Sequence, residues 1–248
     1  MKKVFTILRV LMLGALMMPV ISCEQEKDND TTHGGRGMEG TDINSPTQFK
    51  AVDLGLSVEW ASCNVGANSP EEYGDYYAWG ETKKKNEYTH YTYEFWNDKN
   101  GDDQISEGEF RYLGANISET DYDAAHVKLG NGWRMPTEEE FIELKKDCTW
   151  EWTSVKGIAG AKVTGTNGNS IFLPAAGSYY RTNNNGKGEQ GEYWSSSTIS
   201  HSNCGELQRE TNAIGLYFDF DAEDKEFYLT SSKYTEREFG LPIRAVKE

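Results

Sequence analysis

The chain has 248 residues, 37% of them hydrophobic, and sets 25 Lys and Arg against 40 Asp and Glu for a net charge of −15. Domains most often run to about 100 to 150 residues, so this length holds one large domain or two small ones. The acidic balance repels phosphate backbones and anionic headgroups, which argues against a nucleic-acid partner and against electrostatic attachment to a membrane.

The chain opens on the basic MKK, extended by Arg9, and runs through the apolar LMLGALMMPV to VISC, ending at Cys23. That run falls short of the roughly 20 residues a membrane span needs, and it reads as a secretory signal. It resembles a bacterial lipoprotein signal over residues 1–23, and the resemblance implies that Cys23 carries the lipid. The alternative is cleavage nearby and a soluble secreted protein. Without Lys2, Lys3 and Arg9 the chain keeps 22 basic and 40 acidic residues, a net charge of −18. A lipid on Cys23, rather than a basic helix, then has to hold the protein to its membrane.

Residues 24–47, EQEKDNDTTHGGRGMEGTDINSPT, contain almost no large apolar side chain. Such a segment cannot bury enough surface to fold and is expected to be a flexible acidic tether. Its acidic start resembles the export signal that sends lipoproteins of Bacteroidetes-type bacteria to the outer face of the outer membrane. The expected location is therefore the outer membrane, lipid-anchored and exposed at the cell surface.

A single domain is expected over residues 48–248. KAVDLGLSVEWAS alternates like a strand or short hairpin with Gly55 at the turn, and GDYYAWGE follows as a dense aromatic cluster. DYDAAHVKLG, residues 121–130, reads as a weak helix with Ala124, Ala125 and Val127 apolar. The clearer helix begins at Thr137, which can cap it while Glu140 reaches back, with Phe141, Leu144 and Cys148 on one face. IFLPAAGSYY, EYWSSST, IGLYFDF and EFYLTSS are further expected strands, most with the period-two pattern of a half-buried sheet. Two short helices among mostly antiparallel strands indicate an α+β domain with long loops.

Beyond Cys23 there are three cysteines, Cys63, Cys148 and Cys204. An exported protein can form disulfides, and Cys63 with Cys148 is the expected pair because both lie beside apolar segments. Three free thiols are the alternative.

One stretch suggests a metal. NDKNGDDQISEGEF, residues 97–110, follows the calcium-loop pattern with Asp98, Asn100, Asp102, Gln104, Ser106 and Glu109 at positions 1, 3, 5, 7, 9 and 12. Calcium takes six to eight oxygens, and this spacing supplies them. The sixth position is Asp103 where the sharp turn usually needs glycine, and Asp enters the left-handed region more readily than most residues. The preceding HYTYEFW reads as a strand, not as an incoming helix. The expectation is a structural calcium ion that stiffens a surface excursion; a solvated acidic loop is the alternative.

Taken in order, AVDLGLSVEWASCNVGA, EEYGDYYAWGE, YDAAHVKLGNGWRMPT, GNSIFLPAAG, YWSSS and REFGLPIRAV resemble the Fibrobacter succinogenes major paralogous domain, a family abundant in Bacteroidetes lipoproteins. The resemblance covers residues 49–248 and implies a C-type lectin-like fold. It implies little about activity, because unrelated functions share that fold. Neither Glu-Pro-Asn nor Gln-Pro-Asp, the sugar-site tripeptides of calcium-dependent lectins, occurs in the chain. In WRMPT, Trp133 and Met135 are expected in the core, with Arg134 meeting a buried acid or a backbone carbonyl. In YWSSS, Tyr193 and Trp194 are expected inside, with the serines bonded to nearby backbone.

No nucleophile motif lies near His90, His126 or His201, and no zinc signature, phosphate loop or dinucleotide fingerprint is present. The expected function is therefore a non-catalytic binding module for a glycan or a protein at the cell surface. In SYYRTNNNGKGEQGEYW, Tyr179 and Tyr180 can stack on a sugar while Asn183, Asn184 and Asn185 bond its hydroxyls. The alternative is a structural or tip subunit of a surface filament or envelope assembly.

Overall fold

A computed structural model describes residues 49–199, 204–221 and 226–248. These fall in one compact unit. The expected signal, lipidation site and tether lie outside them.

In chain order the strands and helices are β1 (Ala51–Val52), β2 (Glu59–Ala61), α1 (Ala124–Leu129), α2 (Glu138–Asp147), β3 (Thr149–Val155), β4 (Ile158–Thr164), β5 (Ser170–Pro174), β6 (Ser178–Tyr180), β7 (Asn183–Asn185), β8 (Gln190–Thr198), α3 (Glu206–Thr211), β9 (Asn212–Asp221), β10 (Glu226–Glu236) and β11 (Val246–Lys247). They form the antiparallel sheets β1-β2-β11, β3-β4-β5 and β8-β9-β10 and the hairpin β6-β7. The described residues thus form mostly antiparallel strands in several small sheets with three short helices, an arrangement consistent with the expected α+β class. No helix among the described residues is long and apolar enough to cross a membrane.

The first hairpin forms as expected, with Ala51 opposite Ala61 and Val52 opposite Trp60. Gly55 turns it at φ +76°, a conformation that costs glycine nothing. β11 then joins the same sheet, pairing Val246 with Trp60. The last strand of the domain therefore lies against its first hairpin.

Helix α2 starts where the capping pattern places it. The Thr137 side chain accepts the Glu140 amide at 3.2 Å, and Glu140 accepts the Thr137 amide at 2.8 Å. Glu140 also holds Arg134 through two bonds, at 2.9 and 2.6 Å. The buried face presents Phe141 and Leu144, and Phe141 stacks 5.7 Å from Trp60. Each such side chain contributes about 1.5 to 3 kcal/mol by leaving water. Helix α1 is shorter than the sequence pattern suggests: Asp123 caps it by accepting the His126 amide at 3.0 Å, Ala124 and Ala125 are buried, and Val127 is exposed.

β3 and β4 form a further antiparallel hairpin, not among the expected strands. Trp150 and Trp152 point from β3 toward β9, with Trp152 stacked on Phe220 at 5.8 Å and Trp150 tilted 5.9 Å from Phe218. Two three-stranded sheets thereby share one core with Tyr193, Leu216 and Phe218. Gly191 is required there, because a Cβ at that position would lie 2.1 Å from the Phe218 ring.

A second core gathers Trp79, Trp133, Met135 and Trp194. Trp79 gives its indole N–H to Ser195 O at 2.9 Å, and Trp194 gives its own to Tyr77 O at 2.8 Å. Tyr193 and Trp194 are fully buried, and Ser195 bonds Ile214 O at 2.7 Å.

The segment HYTYEFW is not a strand. His90–Thr92 forms a single 3-10 turn, closed by the Thr92 hydroxyl, which accepts the Thr89 amide at 3.2 Å. Only Trp96 pairs in β fashion, with Phe110. Local threonine bonding has overridden the β preference of the aromatic residues.

The expected Cys63–Cys148 disulfide is also absent: Cys63, Cys148 and Cys204 are free thiols. Cys63 is buried and directs its Sγ at Ala67 O, 3.5 Å away. Cys148 instead caps the C-terminus of α2 and packs with the Phe141 and Trp60 core. Both thiols belong to apolar surroundings, but they serve different local contacts.

Candidate functional site

The acidic loop is closed at its base by Asn97 donating to Glu109 O at 3.0 Å and Arg111 donating to Phe95 O at 2.7 Å. Inside it, Asp98 accepts the amides of Gly101 at 2.7 Å and Asp103 at 3.1 Å. Asn100 accepts from Asp102 at 3.0 Å, and Asp102 from Gln104 at 2.9 Å. Glu109, buried, accepts from Lys99 N at 3.1 Å and Ser106 N at 2.9 Å. Asp103 takes φ +58°, the left-handed conformation required at the sixth position.

These bonds have an electrostatic consequence. Desolvation pushes the Asp98 carboxyl up, but the amides of Asp103, Gly101, Asp102 and Asn100 outweigh it and hold the group below its ordinary value. Lys99 crosses the loop to the Gly108 carbonyl, and Tyr91 donates to Asp103 O at 3.3 Å. The donor set is entirely oxygen and the backbone turn suits a calcium loop. The carboxylates, however, are engaged with amides. Among the described residues no three His, Cys, Asp or Glu side chains group closely enough to hold a metal.

The five predicted ligand residues lie on the β6-β7 hairpin, where Tyr179 pairs with Asn184 and Tyr180 with Asn183. Strand side chains alternate between faces, so these pairs point in opposite directions. Tyr179 is enclosed by Tyr76, edge-on at 4.8 Å, and Tyr88 at 5.7 Å. Asn184 lies behind it, donating to Tyr76 Oη and Ala176 O, both at 3.1 Å. Tyr180 instead packs on Phe239 at 4.9 Å, with the Arg181 guanidinium over its ring at 5.5 Å. Asn183 and Asn185 are exposed. The five residues therefore do not make one site.

What the hairpin does build is a cleft of about 290 Å³ lined by Asp75, Tyr76, Lys84, Tyr88, Tyr179 and Thr182. Tyr76 donates to Ala176 O and Tyr88 to Tyr76 O, each at 2.7 Å. Burial raises both phenols, that of Tyr88 to about 12, so they stay neutral donors. Lys84 and Asp75 form an ion pair at 2.9 Å on the rim. A neutral aromatic wall beside a paired charge suits a polar, uncharged ligand with an apolar face. Tyr76 belongs to the aromatic cluster evident in the sequence. Tyr88 does not, and its antiparallel bridge to Arg181 together with its hydrogen bond to Tyr76 O brings it here.

Comparison with protein-family models, with curated proteins and with solved structures finds no match to this chain.

Proposed function

We propose that this protein is a non-catalytic binding module, carried at the bacterial cell surface by a lipid on Cys23 and built on a C-type lectin-like domain. The observation that carries the reading is the Tyr76, Tyr88 and Tyr179 cleft, displayed on a short hairpin above a rigid aromatic core. Its chemistry favours a glycan, or a protein segment of similar polarity, over a charged metabolite.

The placement of the family-like stretches supports the fold. WRMPT, YWSSS and LPIRAV, far apart in sequence, meet in one core: Ser196 donates to Pro136 O at 2.7 Å, Trp194 to Pro242 O at 3.2 Å and Arg134 to Val246 O at 3.0 Å. In this reading the Asn97–Phe110 loop takes calcium on oxygens of Asp98, Asn100, Asp102, Gln104, Ser106 and Glu109. The ion supplies positive charge that offsets carboxylate repulsion and stiffens the loop.

The test is a glycan array probed with the purified full-length protein, once in calcium and once in chelator. Selective binding that Tyr179→Ala abolishes is the expected result. Loss of that binding in chelator makes the loop functional, and persistence leaves it structural. No binding in either condition overturns the glycan reading and favours the filament or protein-interaction alternative.

A further inference from the structure

A second cleft, of about 440 Å³, separates the Phe110–Ala115 segment from α3. That volume lies within the range of small-ligand sites, about 300 to 1,000 Å³. Phe110 and Ile199, both buried, give it an apolar floor.

One side chain bonds to both of its walls. Arg237, only 1% exposed, lies 4.7 Å from the Trp79 ring centroid. Its Nη1 donates to Arg111 O at 3.4 Å on one wall, its Nη2 to Arg209 O at 3.3 Å on the other, and its Nε to Asn212 O at 3.4 Å. All three bonds go to carbonyl oxygens, so the buried charge meets dipoles rather than a bonded carboxylate. The Glu210 carboxylate on the cleft wall acts on this guanidinium through space, so the positive charge at the floor is offset across the cleft.

The α3 wall carries Glu206, Arg209 and Glu210. Arg209 donates Nη1 to Cys204 O at 2.7 Å. Glu210 accepts the Gly108 amide at 2.6 Å, which ties this wall to the end of the acidic loop. Across from them, Tyr112 stands at the rim with 73% of its surface exposed.

Acceptors and donors of opposite charge therefore share the wall, and no net charge is demanded of the ligand. Carboxylates accept from hydroxyls and guanidinium groups donate to them, while an open tyrosine ring covers an apolar C–H face. We propose that this cleft binds a neutral saccharide unit, with Tyr112 against the sugar's apolar face and Glu206 and Arg209 holding its hydroxyls. The ligand class rests on the binding-module reading, but the residues are separate from the Tyr179 cleft.

The experiment is saturation-transfer NMR of the full-length protein with the methyl glycosides of glucose, galactose, mannose and N-acetylglucosamine. At least one probe is expected to bind, and Tyr112→Ala, Arg209→Gln and Glu206→Gln each to weaken it about tenfold or more. All three alter partly or largely exposed side chains, and thermal unfolding of each variant checks that it folds. Tyr228→Ala, on exposed β10 surface, is expected to leave binding unchanged. Absence of transfer to all four probes overturns the inference, as does binding that survives the three variants. Binding lost in Tyr179→Ala but retained in Tyr112→Ala also overturns it, while sustaining the first cleft.

Discussion

Ser196 donates twice to one acceptor, the carbonyl oxygen of Pro136, through its backbone N–H at 2.7 Å and its hydroxyl at 3.2 Å. Its neighbour Ser195 has a different position, donating to Ile214 O at 2.7 Å and accepting the Ser197 amide at 3.1 Å. Ser196→Ala leaves Pro136 O with a backbone partner, whereas Ser195→Ala strips a partner from two buried groups. Urea denaturation is expected to show a loss of about 1 kcal/mol for the first and about 2 to 3 kcal/mol for the second. Equal losses would contradict this arrangement.

Glu140 serves two structures at once, the α2 cap and the ion pair with Arg134, both of whose side chains are about nine-tenths buried, at 12% and 10% exposure. Glu140→Ala removes the cap partner and takes the two-bond carboxylate from a largely buried guanidinium, leaving it Met135 O at 3.3 Å and the exposed Glu248 carboxylate at 3.9 Å. The expected loss is about 3 kcal/mol or more. The exposed neighbour Glu139→Ala should change stability by no more than about 0.5 kcal/mol. Denaturation midpoints of the two variants check the difference.

Glu238 is buried, and its Oε2 has no hydrogen-bond partner among the described residues. Desolvation, reinforced by Glu236 and opposed by Lys85, pushes its carboxyl up to about 7. The folded state then holds the proton through a range where the unfolded chain has lost it. The stability this gives is complete below about pH 4.5 and is lost progressively as pH rises from there through about 7, a total of roughly 3 kcal/mol. Glu238→Gln should therefore unfold at a higher temperature than wild type at pH 8 and at a similar temperature at pH 4. A shift of the same size at both pH values would contradict this assignment.

The readable parts of the sequence are those governed by neighbours in the chain. Thr137 and Glu140 declare the start of α2 because their capping bonds span three residues, and Gly55 declares a turn through its own φ. By contrast, α3 begins at Gly205 without a side-chain cap and runs only six residues, Glu206–Thr211, so no local signal marks it. The cleft it walls was correspondingly hidden. Tyr179 and Tyr180 were recognisable as candidates, and the pleat of a strand separates them onto opposite faces, but what encloses Tyr179 depends on Tyr76, about a hundred residues earlier. The cysteine expectation failed for a related reason: apolar flanks report burial, not which thiol a thiol meets.

The free thiols give a direct count. Burial raises the Cys63 thiol, and burial aided by Asp147 and Glu143 raises that of Cys148 to about 11. Native protein at pH 8 should therefore react slowly with a thiol reagent at both positions, and Cys63 should be the slowest because it is fully buried. In denaturant without reductant, Cys63, Cys148 and Cys204 should all be modified, as read by mass spectrometry. Modification of Cys204 alone would restore the disulfide expectation.

The loop offers the sharpest test of the calcium proposal, because Asp98 has both a local and an ionic role to separate. Asp98→Asn preserves a side-chain oxygen that can accept the Gly101 amide, but it removes the carboxylate charge and the second oxygen, which accepts the Asp103 amide at 3.1 Å. Without calcium the variant should therefore unfold only slightly below the wild-type temperature, by the net worth of one exposed hydrogen bond. With calcium the wild type should gain stability as RT ln(1 + [Ca]/Kd), about 2.7 kcal/mol at one hundred times Kd, and the variant should gain far less. Differential scanning calorimetry in chelator and across a calcium titration measures both terms. If calcium leaves the wild-type melting temperature unchanged, the amide bonds to Asp98, Asn100, Asp102 and Glu109 are the whole of what orders the loop.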